Sequence, residues 1–474
     1  MKPKVIIDKV LGDTLYVKLF YLLIMITQMQ IITKDIAGPF VKLSLVYGFL
    51  VFVYDFFTRK RIIRNKFFPL IAIFFGLMFI SIAVNYNKGF VENFKLFAYA
   101  AFEFFVIAMV PSDKSEEDIK REYKIISIVA IIAIAVIGLA SFVTFAFYIQ
   151  TTYTNHIGGL CYVGVAPDNR LYGITGNANS LGMQMLTLFA LAISYIAIFK
   201  PKRKIPLYAV MLLSILCMLL SGSRASAIGF IAFAFCFIFF WIMSKTDKKP
   251  LFKLYIKNAL ISLLITVVLF VGGKAGTFVS GYIPSIIQST TEMEIKDSEE
   301  VEKLFERFET ERNDTETMVK GSGRIDLWNA ALKIFQHHPI FGVGFAEVQD
   351  YANKYMPGTD LPIAKWGGGV HNIFLQVLAS SGILAFIAFL GIMAFFAVKA
   401  FIKLFADFKN GESSMLFITA FSVIIMLLVI QLFEVRMIYR ITAESLFFAL
   451  FFGYLQYYLQ KKTDDVQPSD SERK

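Results

Sequence analysis

Twelve apolar runs, each close to the length of a membrane-spanning helix, constrain this chain more than any other feature of it. A helix needs about 20 apolar residues to cross the hydrocarbon layer of a bilayer. The runs cover about 15–33, 38–57, 67–85, 95–111, 123–148, 180–199, 205–221, 224–243, 255–272, 371–400, 413–433 and 440–460. They are continuous rather than periodic, as in helices that meet lipid or other helices on every side. Hydrophobic residues make up 57% of the chain, with 51 Phe among them, more than a soluble domain of this length can hide. The expected fold is an all-α polytopic membrane protein with about twelve transmembrane helices. The first run follows a mixed, charged segment and precedes no small-residue cleavage site, so it reads as a retained span.

Residues 1–272 then hold nine helices and an outer loop at 149–179. Residues 273–370 form one large extracytoplasmic loop with short helices, 371–461 hold the last three spans, and 462–474 form a cytoplasmic tail. Lys and Arg collect in cytoplasmic loops. The loops at 58–66, 111–124, 200–204, 244–257 and 399–410, and both tails, are basic and fall on one side. Both termini are therefore expected in the cytoplasm, in a protein of the cytoplasmic membrane. The net charge of +11 reflects topology and contact with anionic membrane lipid, and no nucleic-acid module accompanies it. Cys161, Cys217 and Cys236 suggest neither a disulfide framework nor a metal site. No cofactor and no structural metal are expected.

On the opposing surface positive charges are few, which makes each informative. Arg224 follows Ser221-Gly-Ser223 at a span junction with no acid nearby in sequence, close enough to hydrocarbon that it needs a partner or a polar cavity. Arg436 and Arg440 flank the turn between the last two runs beside Glu434 and Glu444, and some of these four charges are expected to pair with each other. Arg324 stands where Ser322 can cap a helix with Ile325, Trp328, Leu332 and Phe335 on one face. A helix N-terminus already favours an anion, so a positive side chain there suits a bound phosphate, or else a salt bridge to Asp326 or a loop carboxylate. Guanidinium groups suit pyrophosphate, offering fixed forks of donors at any relevant pH.

The remaining polar segments divide simply. Glu292 to Glu316 carries eleven acidic residues with Val301, Leu304 and Phe308 at helical spacing, which reads as a solvated amphipathic helix without chemistry. The 149–179 loop is rich in Gly and Asn, which tolerate left-handed backbone. Of the four histidines, all placed outside, His156 has no assigned role and His337 and His338 lie at a helix stop made by Pro339. His371 opens a span after Gly367-Gly-Gly369, where an imidazole could take a proton from a sugar hydroxyl.

The order Arg170-x-x-Gly173-x-x-Gly176-Asn177-x-Asn179, then Ser221-Gly-Ser223-Arg224, then Gly323-Arg324-x-x-x-Trp328, then Pro339-Ile-Phe-Gly-Val-Gly344, then His371-Asn372, resembles the O-antigen ligase and Wzy polysaccharide polymerase superfamily. The resemblance spans roughly residues 150–380. It implies a GT-C-type fold and an inverting, metal-independent glycosyltransferase acting on the outer face of the membrane. The donor it implies is an oligosaccharide on undecaprenyl pyrophosphate. Carried over by motif, Arg224, Arg324 and His371 are the catalytic candidates. Arg170 is a further candidate for the donor phosphates, and Asn177, Asn179, Ser223, Asn372, Arg436 and Arg440 complete the expected substrate-binding set. A chain-length regulator and a flippase of the same pathway are the expected partners. A polymerase and a ligase both fit. The Phe-, Ile- and Lys-rich composition, as of an AT-rich Gram-positive genome, favours a capsule or exopolysaccharide polymerase. A flippase for lipid-linked oligosaccharide stays open through Glu103 within a span, although no internal repeat supports it.

Overall fold

The structure is a computed structural model that describes residues 10–31, 33–87, 89–110, 114–154, 160–246, 252–291, 323–357 and 369–461. A helix occupies each of the twelve apolar runs. The first nine are α1 (Thr14–Gln28), α2 (Lys34–Tyr54, continued by a π-helical turn at Asp55–Arg59), α3 (Phe68–Val84), α4 (Phe90–Phe102, continued by a π-helical turn at Glu103–Ile107), α5 (Glu116–Ala146), α6 (Ala178–Phe199), α7 (Ile205–Leu220), α8 (Arg224–Met243) and α9 (Phe252–Ser280). Between the ninth and tenth runs lie α10 (Tyr282–Thr291), α11 (Arg324–His337) and α12 (Val348–Tyr355), and α13 (Ile373–Asn410), α14 (Met415–Ile430) and α15 (Ala443–Gln460) complete the bundle. Among the described residues six helices, α2, α5, α6, α8, α9 and α13, are long and apolar enough to cross a membrane. Four more, α1, α3, α7 and α14, are apolar but only 15 to 17 residues long. By length and composition the structure therefore marks six spans where the sequence suggests twelve.

The all-α expectation needs one correction. The 149–179 loop contains an antiparallel sheet of β1 (Gln150–Thr154), β2 (Leu160–Val165) and β3 (Leu171–Gly173), in that order. Thr and Tyr fill β1 and Tyr162, Val163 and Val165 lie in β2, residue types that pack well on a pleated surface. At its end the sheet presses onto α5. Gly173 has φ +55°, and a Cβ there would run into the Ser141 side chain, so both backbone angle and space call for glycine.

α15 is buried along nearly its whole length, although it is less apolar than the helices around it. Its polar groups find partners inside the bundle. Ser445 and Tyr21 both donate to Glu103 Oε1, at 2.7 and 2.8 Å. Gln456 Oε1 accepts from Asn65, Tyr457 donates to the Lys114 carbonyl, and Tyr458 accepts from Ser414. A helix that touches protein on all sides can carry such groups where a lipid-facing one cannot. Toward the end of the bundle where α1 begins, Glu122 is held between Lys18 at 2.6 Å and Lys114 at 2.9 Å.

A second difference from expectation lies in α13, which the sequence presents as one helix. It breaks at Gly382, where φ is +77° and ψ −176°. The chain after α11 fills the break: the Ile383 amide donates to the Pro339 carbonyl at 2.8 Å, and the amides of Val343 and Gly344 donate to the carbonyls of Ala379 and Ser380 at 3.1 and 2.8 Å. Backbone groups released by the break are thus satisfied by protein, a requirement wherever water is scarce. α3 and α4 hold the inserted segment from the other side. Asn85 donates to the Gly342 carbonyl, Ser81 to that of Ser380, and Asn93 accepts from the Ala346 amide.

α11 lies against α13 through Leu327, Ala330, Ala331 and Ile334, which form a small core with Val343, Val348, Ala352, Val370 and Ala379. The sequence favours the other apolar stripe of α11, but Ile325 and Leu332 are each 42% exposed. Two alanines allow a closer approach to α13 than that bulkier stripe would, and packing decides between them. The N-cap is Gly323 with no side-chain cap, and the expected cap Ser322 lies outside the described residues. So do the acidic stretch 292–316, His156, Gly367, Gly368 and the 462–474 tail.

At Gly382 a Cβ would strike the Ile340 carbonyl in a backbone region that L-residues avoid. Gly382→Ala should lower the thermal midpoint of the detergent-solubilised protein by an amount equivalent to about 1–3 kcal/mol. An unchanged midpoint would mean that the break is not needed for the fold.

Candidate functional site

Four helices begin at one end of the bundle, and the turns before them carry the polar residues singled out in the sequence. Asn177 Oδ1 caps α6 through the Ser180 amide at 3.0 Å, and Ser223 Oγ caps α8 through that of Ser226 at 3.3 Å. Asn372 Oδ1 caps α13 through Phe374 and Leu375, while its amide donates to the Leu432 carbonyl. α11 starts at Gly323 in left-handed backbone. Asn and Ser occur here because each accepts from an otherwise unpaired amide at a helix start, whereas Gly323 supplies the left-handed backbone that precedes α11. The side-chain oxygens of Asn177, Ser223 and Asn372 are thereby engaged with backbone.

Glu434 lies among these helix starts, in the connector between α14 and α15, with its carboxylate 2% exposed. Its Oε1 is 3.4 Å from Arg324 Nη2 and accepts from Asn179 Nδ2 at 3.0 Å. Its Oε2 is 3.3 Å from His371 Nδ1 and 3.8 Å from Arg436 Nε. The approach of His371 is close, though off the line of a well-formed hydrogen bond. Asn179 Oδ1 in turn accepts from Arg170 Nη2 at 2.8 Å, and Arg170 Nε donates to the Ser221 carbonyl at 2.8 Å. Arg436 also reaches Ser180 Oγ at 3.3 Å. His371 itself has φ +52°, uncommon outside glycine, which turns its ring toward the carboxylate just before α13 begins.

The electrostatics follow from burial and from this crowding. Burial raises the pKa of Glu434, but His371, Arg436 and Arg324 outweigh it and hold the carboxylate down at about 2. Burial also lowers the pKa of Arg324; Glu434 opposes that, while the positive charges of Arg224 and Arg170 add to it. Arg440 is lowered to about 10 by burial and by Arg436, against Glu434 and Glu444. Arg224 is exposed, and among the described residues no carboxylate pairs with it. Arg170 meets Asp168 only at 4.0 Å. Among the described residues Arg170, Arg224, Arg324, Arg436 and Arg440 outnumber the carboxylates Glu434, Glu444 and Asp168, an excess of positive charge that suits an anion.

The structure thus brings Arg170, Asn179, Arg324, His371 and Arg436 into contact through Glu434, with Arg224 and Arg440 near enough to influence their charges. Arg324 takes the loop-carboxylate option rather than Asp326. His337 and His338 lie apart in the α11–α12 lobe, stacked on Tyr355 at 4.1 Å and bonded to its hydroxyl at 2.9 Å. Sequence reasoning named Glu434 only as a neighbour of Arg436 and assigned it no place in the site. The available signal was its position directly after an apolar run, where a carboxylate is costly unless cations surround it.

A family model described as O-antigen ligase matches residues 209–390. The matched stretch carries Arg224, Arg324 and His371, while Arg170 precedes it and Glu434, Arg436 and Arg440 follow it. The match supports a kinship of this stretch with the O-antigen ligase and Wzy superfamily. No curated protein matches the chain.

Because the folded protein ionises Glu434 below the ordinary carboxylate range, its contribution to stability is complete above about pH 4.5 and is lost as pH falls toward 2. Other acids titrate in the same window, so the informative quantity is the difference between wild type and Glu434→Gln. Wild type should lose on the order of 3 kcal/mol more than the variant on acidification through this window, read from thermal midpoints. Parallel acid profiles would show that Glu434 is not held by its cations.

Proposed function

We propose that the chain is a Wzy-type polysaccharide polymerase, moving a growing glycan from undecaprenyl pyrophosphate onto the next lipid-linked repeat unit. The observation that carries this reading is the Glu434 cluster, which sets a histidine beside arginines whose charge exceeds that of the nearby carboxylates. In the proposed reaction the bond from the sugar anomeric carbon to the pyrophosphate oxygen breaks and a bond to an acceptor hydroxyl forms, with inversion and without a metal. Negative charge growing on the departing pyrophosphate is met by Arg324, Arg224 and Arg170. With His371 Nδ1 turned toward Glu434, Nε2 is the ring nitrogen left to take the hydroxyl proton.

Asn177, Ser223 and Asn372 then act by fixing helix starts, while Asn179, Arg436 and Arg440 orient and balance the charged groups. The site faces outside, twelve helices cross the cytoplasmic membrane, and both termini lie in the cytoplasm. A chain-length regulator and a flippase would work beside it. A ligase that delivers the glycan to a different acceptor is the second reading, favoured by the description of the matching family. A flippase role is less supported, since Glu103 is bonded to Tyr21 and Ser445 within the bundle.

Purified protein in lipid, given only the undecaprenyl-pyrophosphate-linked repeat unit, should yield a ladder of multiples. Arg324→Ala, Arg224→Ala and His371→Ala should each reduce product about 100-fold or more while the protein still inserts. Single transfer that requires a separate acceptor would make it a ligase. Full activity in both Arg324→Ala and His371→Ala would overturn the mechanism.

A further inference from the structure

A groove of about 890 Å³ opens between α5 and α7, away from the Glu434 cluster. Ile132, Val136 and Leu139 line one wall and Leu212, Leu213 and Leu216 the other. Ile132, Val136, Leu139 and Leu212 are more than half exposed, so the groove is open on the surface that lipid covers. The charged residue that lines it, Arg203, stands at one mouth beside Pro201 and Pro206.

Arg203 belongs to the run Lys200-Pro-Lys-Arg-Lys204, which joins α6 to α7. Among the described residues none of Lys200, Lys202, Arg203 and Lys204 lies within ion-pair distance of a carboxylate. Lys124 of α5, over the Phe199 ring at 5.7 Å, adds a further cation at this end. Apolar walls that end in a cluster of unpaired cations suit a molecule with hydrocarbon chains and an anionic head.

We infer that this groove binds one anionic phospholipid, its chains between α5 and α7 and its phosphate at Arg203. The lipid belongs to the leaflet opposite the Glu434 cluster. Arg203 and Arg224 stand beyond opposite ends of α7, which at 1.5 Å per residue is about 24 Å long. A donor whose pyrophosphate lay at Arg224 and Arg324 could not also place it at Arg203, which favours a phospholipid over the polyprenyl donor. This assignment is independent of whether the enzyme polymerises or ligates.

Native mass spectrometry of the full chain, released from detergent after incubation with equal phosphatidylglycerol and phosphatidylcholine, tests it. Wild type should retain one phosphatidylglycerol with about tenfold preference over phosphatidylcholine. Arg203→Gln should erase that preference. Ala209→Trp, which fills the groove from an exposed position and leaves every cation in place, should abolish retention. Wild-type retention by Ala209→Trp would reduce the cations to a diffuse surface patch and overturn the site. Equal retention of phosphatidylcholine by wild type would overturn its charge selectivity, and displacement of the phospholipid by undecaprenyl phosphate would reassign the groove to a polyprenyl chain.

Discussion

Gathering arginines in one partly buried place costs energy through their mutual repulsion and their loss of water, and the carboxylate of Glu434 offsets much of that cost here. It lies within 3.4 Å of Arg324 and 3.3 Å of His371, and accepts from an asparagine 255 residues earlier in the chain. Remove it and Arg324 and Arg436 would both lose the carboxylate they share, in a partly buried setting that screens charge poorly. With it, the cluster stays assembled and still positive. One carboxylate neutralises part of the charge and leaves the remainder directed at whatever anion arrives.

The distance between Arg324 and His371 is set by a packing problem as well as by charge. Arg324 begins α11, and His371 immediately precedes the capped start of α13; α11 packs on the first part of α13 through Leu327, Ala330, Ala331 and Ile334. The first part of α13 is separated from the rest by the break at Gly382, where the chain after α11 supplies the missing backbone partners. Phe345, at the end of that inserted segment, stacks on Tyr439 at 5.4 Å, and Tyr439 lies in the same connector as Glu434. Lobe, broken helix and connector therefore form one continuous support beneath the charged groups. A change at any of these contacts would be felt at the site without touching it.

Much of this architecture was legible in the sequence because lipid imposes a strong, local pattern. A helix occupies each run of about twenty apolar residues, six of them long and apolar enough to cross a membrane among the described residues, and the isolated charges Arg170, Arg224 and Arg324 stood out against an apolar background. The losses have physical causes. The sheet in the 149–179 loop was hidden behind glycines and asparagines, although Thr151, Thr152, Tyr153 and Val163 carried a strand signal. The α13 break was masked because Ser380, Ser381 and Gly382 sit in an otherwise uninterrupted apolar stretch. α11 has two possible apolar faces, and the choice rests on a partner helix that local sequence does not name. For Glu434 the partner Arg324 lies 110 residues away, a pairing that no periodicity or spacing encodes.

The burial of α15 has a consequence for how the protein is built. In chain order it follows every other helix described, yet it occupies the middle, against α14, α1, α13 and the π-helical turn after α4. The earlier helices must enter the membrane and wait around an open slot, and Glu103, Asn65 and Ser414, which already bond to Tyr21, Phe67 and Glu116, gain further partners when α15 arrives. Assembly is therefore centripetal: the bundle is laid down from its periphery and closed by a polar, tyrosine-rich keystone, and the Glu434 connector reaches its final position only as that keystone seats.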